Sequence, residues 1–356
     1  MLRGCDMHGD YIRYGFFYLG GVDMGVVLKP YYETECGELY HGDVVNCLKT
    51  LPNKSVNCCV TSPPYWGLRD YGVQGQIGLE STPEEYVEKM VSVFDEVRRV
   101  LKDDGTCWVN LGDSYAGRLK GVGSDGKWCG HDKESIKKQS TNKGSLDLYI
   151  PNWKDIGLKP KDLVGIPWRV AFALQSSGWY LRQDIIWHKP NPMPESVKDR
   201  CTKAHEYIFL LSKSQKYFYD TKAIREGDTV YIRKASGYHE DVGTKPKGGE
   251  YRNKGGLADK DTMTIGRNKR SVWTCTTKPF SGAHFAVFPP NLIEPCILAG
   301  CPKNGTVIDP FIGSGTTAIV AYKHDRKFLG IELNQKYLDE ITVPRIEAKT
   351  RQLKLF

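Results

Sequence analysis

The chain has 356 residues and a mass of 40.2 kDa, a length that suits one catalytic domain with an inserted or appended module. Its 50 Lys and Arg residues exceed its 42 Asp and Glu residues, which gives a formal net charge of +8 and is compatible with a polyanionic partner. A charged fraction of 26% and a mean hydropathy of −0.45 exclude a disordered chain, a coiled coil and a polytopic membrane protein.

The beginning of the chain gives no sign of a targeting segment. Its apolar stretch, residues 15–22, is short and lacks a small-residue cleavage pattern. Residues 1–30 are interpreted as an N-terminal extension, with Met24 as a candidate true start. The 11 cysteines are scattered without a CxxC pair, which indicates reduced thiols in a cytoplasmic protein without a metal site.

A strand, a helix and a second strand are predicted between residues 56 and 112. VNCCV, residues 56–60, is a short apolar run that stops at two prolines, as expected for a buried strand. Thr82 begins a capping box with proline at the first helical position, and apolar residues then recur at intervals of three and four. Residues 103–105 are predicted to turn the chain into a strand at 106–112, which completes a βαβ unit.

Further elements alternate with basic, glycine-rich segments. Residues 116–150 have no period and are predicted to form a basic loop. A helix is predicted over about 167–177, followed by strands at 180–190 and 206–214. The composition shifts most at 222–278, where 13 Lys and Arg residues stand against 7 Asp and Glu residues, so a second module or a large functional insertion is expected there.

A glycine-rich loop follows a predicted strand near the end of the chain. In TVIDPFIGSGTTA, Gly313, Gly315 and Ala318 satisfy a GxGxxG/A pattern between a strand and a helix. The next predicted strand ends at Glu332, 23 residues past Asp309, where an acid can hold ribose hydroxyls. The pattern therefore indicates a nucleoside-containing cofactor.

The position of this loop indicates a circular permutation. Only 41 residues follow Gly315, so the other strands of the sheet must come from upstream sequence, unlike in a dinucleotide enzyme. We therefore expect a permuted, doubly wound α/β domain with the cofactor half last. Asp309 places a carboxylate at the strand tip, which suits a ligand with an ammonium group. A methionine-bearing nucleoside fits this site, and NAD fits it poorly.

The turn after the first predicted strand, TSPPYWGLRDYG, has the groups needed to hold an amine. Pro63 and Pro64 remove backbone donors and stiffen the turn, so that carbonyl oxygens point outward. Ser62 adds a hydroxyl before them and Tyr65 adds an aromatic ring after them. These four residues are the predicted catalytic residues, because acceptors can hold an amine while the ring stacks on its base.

The SPPY turn and the DPFIGSGTT loop, in this order, resemble the β-class amino-methyltransferases of DNA from prokaryotes and phages. The resemblance runs from about residue 39 to the end and includes TKAHEYIFLLSKS and HFAVFPPNLIEP. It implies a circularly permuted Rossmann-like sheet and a division of the chain after residue 30 into three parts. These are a catalytic half at 31–215, a target-recognition region at 216–280 and a cofactor-binding half at 281–356.

The resemblance also implies that S-adenosylmethionine is the cofactor. Glu332 would hold the ribose, Asp43 would lie near the adenine, and the block that begins at His284 would close over the methionine end. The remaining contacts would come from the glycine-rich loop: Asp309, Phe311, Gly313, Ser314, Gly315 and Thr316.

The acceptor implied by the resemblance is the exocyclic amine of a flipped base in double-stranded DNA. The SPPY form of the turn favours cytosine N4 as the acceptor, with adenine N6 as the alternative acceptor. An NAD-dependent oxidoreductase is the remote alternative for the function of the whole chain. Arg267, Lys269 and Arg270 are predicted to contact DNA. No membrane and no metal is expected as a partner, and a homodimer is left open.

Overall fold

The structure, a computed structural model, describes residues 29–68, 70–116, 157–230, 265–277 and 288–353. Its strands, in chain order, are β1 (Tyr32–Thr34), β2 (Gly37–His41), β3 (Val56–Thr61), β4 (Leu101–Leu111), β5 (Tyr180–His188), β6 (His205–Ser212), β7 (Glu226–Val230), β8 (Ile265–Arg267), β9 (Val272–Thr274), β10 (Thr306–Asp309) and β11 (Lys327–Glu332).

The helices between these strands are mostly short. In chain order they are α1 (Val44–Thr50), α2 (Pro83–Val100), α3 (Ile166–Ser176), α4 (Pro290–Gly300), α5 (Thr316–Lys323), α6 (Gln335–Tyr337) and α7 (Val343–Leu353). A 3-10 turn spans Lys222–Ile224, and a π-helical turn at Leu338–Thr342 joins α6 to α7. Among the described residues, no helix combines the length and the apolar character needed to cross a membrane.

Nine of these strands form one sheet in the order β1-β2-β11-β10-β3-β4-β6-β5-β9. The five strands from β2 to β4 are mutually parallel. The strand β6 is antiparallel to β4 and β5, while β9 extends the edge parallel to β5. The last strands of the chain, β10 and β11, thus lie in the middle of the sheet beside β3, and the permuted α/β fold expected from the motif order is confirmed.

Successive residues of a strand point to opposite faces of the sheet, and both faces carry apolar side chains. Helices therefore cover both faces. On one face, α1, α2 and α3 bury a first core that includes Cys59 and Phe94. On the other face, α4 and α5 bury a second core that includes Cys58, Trp108 and Leu292. The connections from β3 to β4 and from β10 to β11 therefore pass on opposite faces, which is a doubly wound arrangement.

Most of the predicted elements are present, and one predicted turn is wrong. The helix that begins at the Thr82 cap runs to Val100, and Thr82 Oγ1 accepts a 3.1 Å hydrogen bond from the Glu85 amide. Residues 103–105, however, lie inside β4 rather than before it. The pairing of β3 with β4 shifts at this point, so these residues form an irregularity within the strand.

The target-recognition region predicted at 216–280 is described only at its ends. There β7 pairs with β8, and β9 joins the main sheet, so the end of this region continues the catalytic sheet. Its centre, at 231–264, lies outside the described residues, as do His284 and most of the basic loop predicted at 116–150.

Candidate active site

The two sequence motifs meet at the carboxyl edge of the sheet. The strands β3 and β10 are neighbours, and their following helices lie on opposite faces, so a crevice opens between the two strand ends. The hydroxyl of Thr61, the last residue of β3, donates a 2.6 Å hydrogen bond to Asp309 Oδ1, at the end of β10. The SPPY turn and the glycine-rich loop are therefore joined directly.

A cavity of about 890 Å³ occupies this crevice, a volume within the range of ligand sites. Phe288, from the HFAVFPP block, also lines it, whereas Gly315 does not. Eleven of the residues predicted to be catalytic or to bind the cofactor line the cavity: Asp43, Ser62, Pro63, Pro64, Tyr65, Asp309, Phe311, Gly313, Ser314, Thr316 and Glu332.

The glycines shape the loop between β10 and α5. Gly313 and Gly315 have φ angles of 47° and 79°, in the region that side chains other than glycine rarely adopt. Gly315 is the N-cap of α5 and provides no side-chain cap, so it does not itself satisfy the first amide groups of the helix. A Cβ at Gly315 would lie 3.2 Å from both Ile346 and Thr342, so this glycine also permits close helix packing.

Asp309 is an almost fully buried acid, with 1% of its surface exposed. Its carboxylate accepts hydrogen bonds from the hydroxyls of Thr61 and Thr317, both at 2.6 Å, and from the Phe311 amide at 3.1 Å. Burial raises the pKa of Asp309 from 3.8 to about 6, although these hydrogen bonds oppose the rise. The site thus carries a negative charge that lacks a cationic side chain among its hydrogen-bond donors.

Glu332, at the end of β11, is a second carboxylate on the cavity wall. Its two oxygens accept the Gly313 amide at 3.0 Å and the Asn334 amide at 2.9 Å. Burial raises the pKa of Glu332 to about 7, and the charge of Asp309 adds to the rise. A carboxylate oxygen has more than one acceptor position, so Glu332 can still accept ligand hydroxyls.

Asp43 lies on the same wall, one strand further along. It is the N-cap of α1 and accepts a 3.0 Å hydrogen bond from the Asn46 amide. The neighbouring Gly42 amide donates to the Glu332 carbonyl at 3.0 Å. Asp43 and Glu332 therefore bound one end of the cavity, and Asp309 lies toward the SPPY turn. A nucleoside with its hydroxyls at the first end and an ammonium-bearing amino-acid group at the other fit this set of hydrogen-bond acceptors.

The SPPY turn contributes to a hydrogen-bond network that the sequence analysis missed. The hydroxyl of Tyr65 donates to Glu206 Oε2 at 2.7 Å and lies 3.2 Å from Asn110 Oδ1, and Ser62 Oγ is 3.5 Å from the same hydroxyl. Burial raises the pKa of Tyr65 far above its usual value, and the Glu206 charge adds to this. Tyr65 therefore stays protonated and acts as a donor.

Lys189 completes this network from the end of β5. Its ammonium group forms an ion pair with Glu206 and lies 4.2 Å from the ring centroid of Trp187. Asn110 Nδ2 also donates to Glu206, at 3.2 Å. Because β6 is antiparallel to β4 and β5, its first residues reach the edge where β4 and β5 end. Lys189 lies in the sequence WHKP and Glu206 in HEYIFLL. The order and direction of the strands bring the two residues together.

Arg345 is a further residue beside the site that the sequence analysis missed. Its Nη1 lies 2.7 Å from the Ser314 carbonyl, 2.8 Å from Ser314 Oγ and 2.9 Å from Thr316 Oγ1. Burial lowers the pKa of Arg345. Arg345 is on α7, so the last helix of the described chain supports the glycine-rich loop from outside the cavity.

The basic residues predicted to contact DNA lie together at β8 and the segment after it. Arg267, Lys269 and Arg270 all face the Glu226 carboxylate, at 3.6, 3.6 and 3.0 Å. Burial would raise the pKa of Glu226, but the hydrogen bond and charge of Arg270 outweigh it and lower the pKa. Three cations on one carboxylate leave an excess of positive charge at this surface.

The fold and the cavity define a permuted Rossmann-like methyltransferase. The family model for DNA methylase matches residues 56–343, and the chain belongs to this family. It is therefore a DNA amino-methyltransferase of the N4-cytosine or N6-adenine kind. The family uses S-adenosylmethionine, so the cofactor expected from the sequence is confirmed.

Several type II methyltransferases are similar over most of their length. M.Cfr9I of Citrobacter freundii is 46% identical over 311 residues, covering 87% of this chain and 88% of the relative. M.SmaI of Serratia marcescens is 47% identical over 296 residues, covering 83% of this chain and 86% of the relative. A restriction-modification context is consistent with both.

Two solved structures have a similar fold. The PvuII DNA methyltransferase, described as cytosine-N4-specific, has a TM-score of 0.56 at 20% identity and covers 91% of this chain and 95% of its own. A protein described as a putative DNA modification methylase of Thermus thermophilus, complexed with S-adenosyl-L-methionine, has a TM-score of 0.53 at 20% identity and covers 87% of this chain and 93% of its own.

Proposed function

We propose that the chain methylates the N4 atom of cytosine in duplex DNA. The observation that carries the proposal is the hydroxyl of Ser62 on the wall of the cavity, beside the ring of Tyr65. A hydroxyl accepts a hydrogen bond from an amine and can also donate to the ring nitrogen next to it, and the SPPY form of the turn, as against DPPY, favours cytosine N4 through the resemblance to the β-class enzymes. The cytosine-N4 specificity of the PvuII enzyme supports the same assignment.

In this proposal Asp43, Glu332 and Asp309 would hold the cofactor. The two buried carboxylates, with raised pKa values, favour a ligand that brings positive charge into the cavity. When bound, S-adenosylmethionine supplies an electrophilic methyl group on a sulfonium. Glu332 would hold the ribose hydroxyls, and Asp309 would accept a hydrogen bond from the ammonium group of the methionine part.

The target base lies between the SPPY turn and the Glu206 network. Tyr65 packs against Gly112, since a Cβ there would lie 2.5 Å from the tyrosine ring, and the base stacks on the ring face that the cavity leaves open. Ser62 Oγ and the Pro63 carbonyl accept the amine hydrogens, which orients the nitrogen lone pair for in-line attack. Methyl transfer would form a bond from the base nitrogen to the methyl carbon as the carbon–sulfur bond breaks, so the sulfonium would leave as a thioether. The methylated nitrogen would then release one proton to water.

Identification of the modified nucleoside tests the proposal. Duplex DNA is methylated by the purified protein with isotopically labelled S-adenosylmethionine and digested to nucleosides, and the labelled product is identified by mass spectrometry. We expect N4-methylcytosine. N6-methyladenine as the sole product would overturn the base assignment and leave the cofactor site intact, and sequencing of the modified DNA would give the recognition sequence.

A further inference from the structure

An exposed apolar tip lies at the mouth of the cavity. It belongs to the loop between β5 and β6, residues 189–204. Met193 is 84% exposed, the largest value among the exposed large hydrophobic residues that the structure describes, and Pro192 and Pro194 flank it. All three residues line the cavity. The tip is therefore both part of the cavity lining and open to solvent.

The tip is held in place on both sides. Before it, the Asn191 side chain exchanges two hydrogen bonds of 3.0 Å with the backbone of Thr277. After it, Glu195 accepts a 2.6 Å hydrogen bond from Arg200, whose guanidinium lies 3.9 Å from the ring centroid of Tyr115. The prolines on each side fix their own φ angles and restrict the residues before them. The methionine side chain is thus presented on a stiff support.

Other apolar residues also line the cavity. Leu68, which is 44% exposed, and the less exposed Val73 and Ile77 line the cavity from the loop that follows the SPPY turn. The loop 189–204 carries four Lys or Arg residues against two Asp or Glu residues. An apolar tip within a basic loop, beside a pocket for a nucleotide base, matches the mixed surface of a DNA duplex opened at one base pair.

We propose that Met193 enters the duplex at the target base pair and fills the space that the flipped base leaves. The proposal rests on the proposed function, since it requires a base that leaves the helix. Flipping costs unpairing and unstacking, and apolar side chains inserted between base steps offset such a cost. The polarizable thioether makes favourable contacts with aromatic rings, and a stiff support reduces the entropy lost on insertion.

Methylation rates on two duplexes test the proposal. Both carry the sequence found to be modified, and the second has a mispaired base opposite the target, so that flipping is already easier. On the paired duplex we expect Met193→Ala to be at least tenfold slower than the wild type. On the mispaired duplex we expect rates within about twofold. Met193→Leu should keep most of the paired-duplex rate.

A matched control is Phe172→Ala, because Phe172 is another exposed apolar residue, on α3 and outside the cavity lining. We expect it to leave both rates unchanged. S-adenosylmethionine affinity, measured by calorimetry, reports whether each variant is folded.

Three results would overturn the proposal, and they are distinguishable. If Met193→Ala equals the wild type on paired DNA, Met193 has no role in flipping. If Met193→Ala is equally slow on both duplexes, the side chain acts on a step other than opening the base pair. Wild-type protein that binds the cofactor and methylates no DNA would refute the proposed function, and the role of Met193 with it.

Discussion

Replacing Asp309 by asparagine removes a buried negative charge and keeps the shape of the side chain. The oxygen of the amide can still accept from Thr61 and from the Phe311 amide. The new NH₂ group faces Thr317 Oγ1, which lies 3.4 Å from the Val60 carbonyl and can turn its hydrogen toward that oxygen. The hydrogen bonds of the site are therefore preserved, and the change isolates the effect of charge.

The pKa of Asp309 sets the size of the effect. Its rise from 3.8 to about 6 corresponds to about 3 kcal/mol, at about 1.4 kcal/mol per pH unit. The carboxyl group of Asp309 ionises near pH 3.8 in the unfolded chain and near pH 6 in the folded protein. The free energy of unfolding of the wild type therefore falls by this amount as the pH rises from about 3.8 to above about 6. Asparagine does not ionise, so the Asp309→Asn variant does not lose this part of the free energy of unfolding. We expect Asp309→Asn to stabilise the cofactor-free protein by up to about 3 kcal/mol at about pH 8, and by little at about pH 4.

Urea unfolding at about pH 4 and about pH 8, without cofactor, measures this difference. The exposed Asp95→Asn on α2 is the matched control, and it should change neither value appreciably. Calorimetry should show that Asp309→Asn binds S-adenosylmethionine about 10- to 100-fold more weakly, because a charge-assisted hydrogen bond contributes about 1.5–3 kcal/mol. Equal gains in stability at both pH values, or unchanged cofactor affinity, would refute the reasoning.

Three further predictions concern the glycine-rich loop, the SPPY turn and the basic surface at β8. Arg345→Gln should weaken S-adenosylmethionine binding about tenfold, since a hydrogen bond to a charged group contributes about 1.5–3 kcal/mol, and unchanged calorimetric affinity would show that the loop holds its shape alone. Tyr65→Ala should slow methyl transfer about 10- to 100-fold and Tyr65→Phe much less, because stacking contributes about 1–3 kcal/mol; equal losses in a single-turnover assay would contradict a stacking role. Replacing Arg267, Lys269 and Arg270 by glutamine should flatten the salt dependence of DNA binding by about one unit of log–log slope for each phosphate that is no longer neutralised, whereas a surface that does not touch DNA would keep the wild-type slope.

The sequence was sufficient to predict the meeting of its two motifs. A strand that ends in prolines and a strand that ends in a glycine-rich loop are both local patterns, and parallel strands place such ends at one edge. The hydrogen bond from Thr61 to Asp309 is the consequence. Glu332 could be placed near this edge for the same reason, because it ends a predicted strand of the parallel part of the sheet, whereas Asp43 was placed there only through the family resemblance.

Glu206 and Arg345 could not be placed in this way. Glu206 lies near the beginning of its strand, and it reaches the active edge only because β6 runs antiparallel to β4; the direction of a strand depends on contacts distant in sequence. Arg345 lies 31 residues past Ser314, and its contact depends on how α7 packs beside the glycine-rich loop. The turn predicted at 103–105 failed for a related reason, since β3 pairs with β4 before these residues, at Leu101, and again from Thr106, with a shift in register between the two.

The charges around the cavity suggest how binding and release are balanced. Two buried carboxylates, Asp309 and Glu332, line the cofactor side, and both are costly to keep ionised without a cation. In the proposed reaction they face a cofactor with a net positive charge, and after the methyl group has left they face a thioether without the sulfonium charge. Part of the electrostatic attraction therefore disappears with methyl transfer. The same burial that destabilises the empty site therefore favours the sulfonium cofactor over the thioether product, so the stability gained by Asp309→Asn would come at the expense of the difference on which turnover depends.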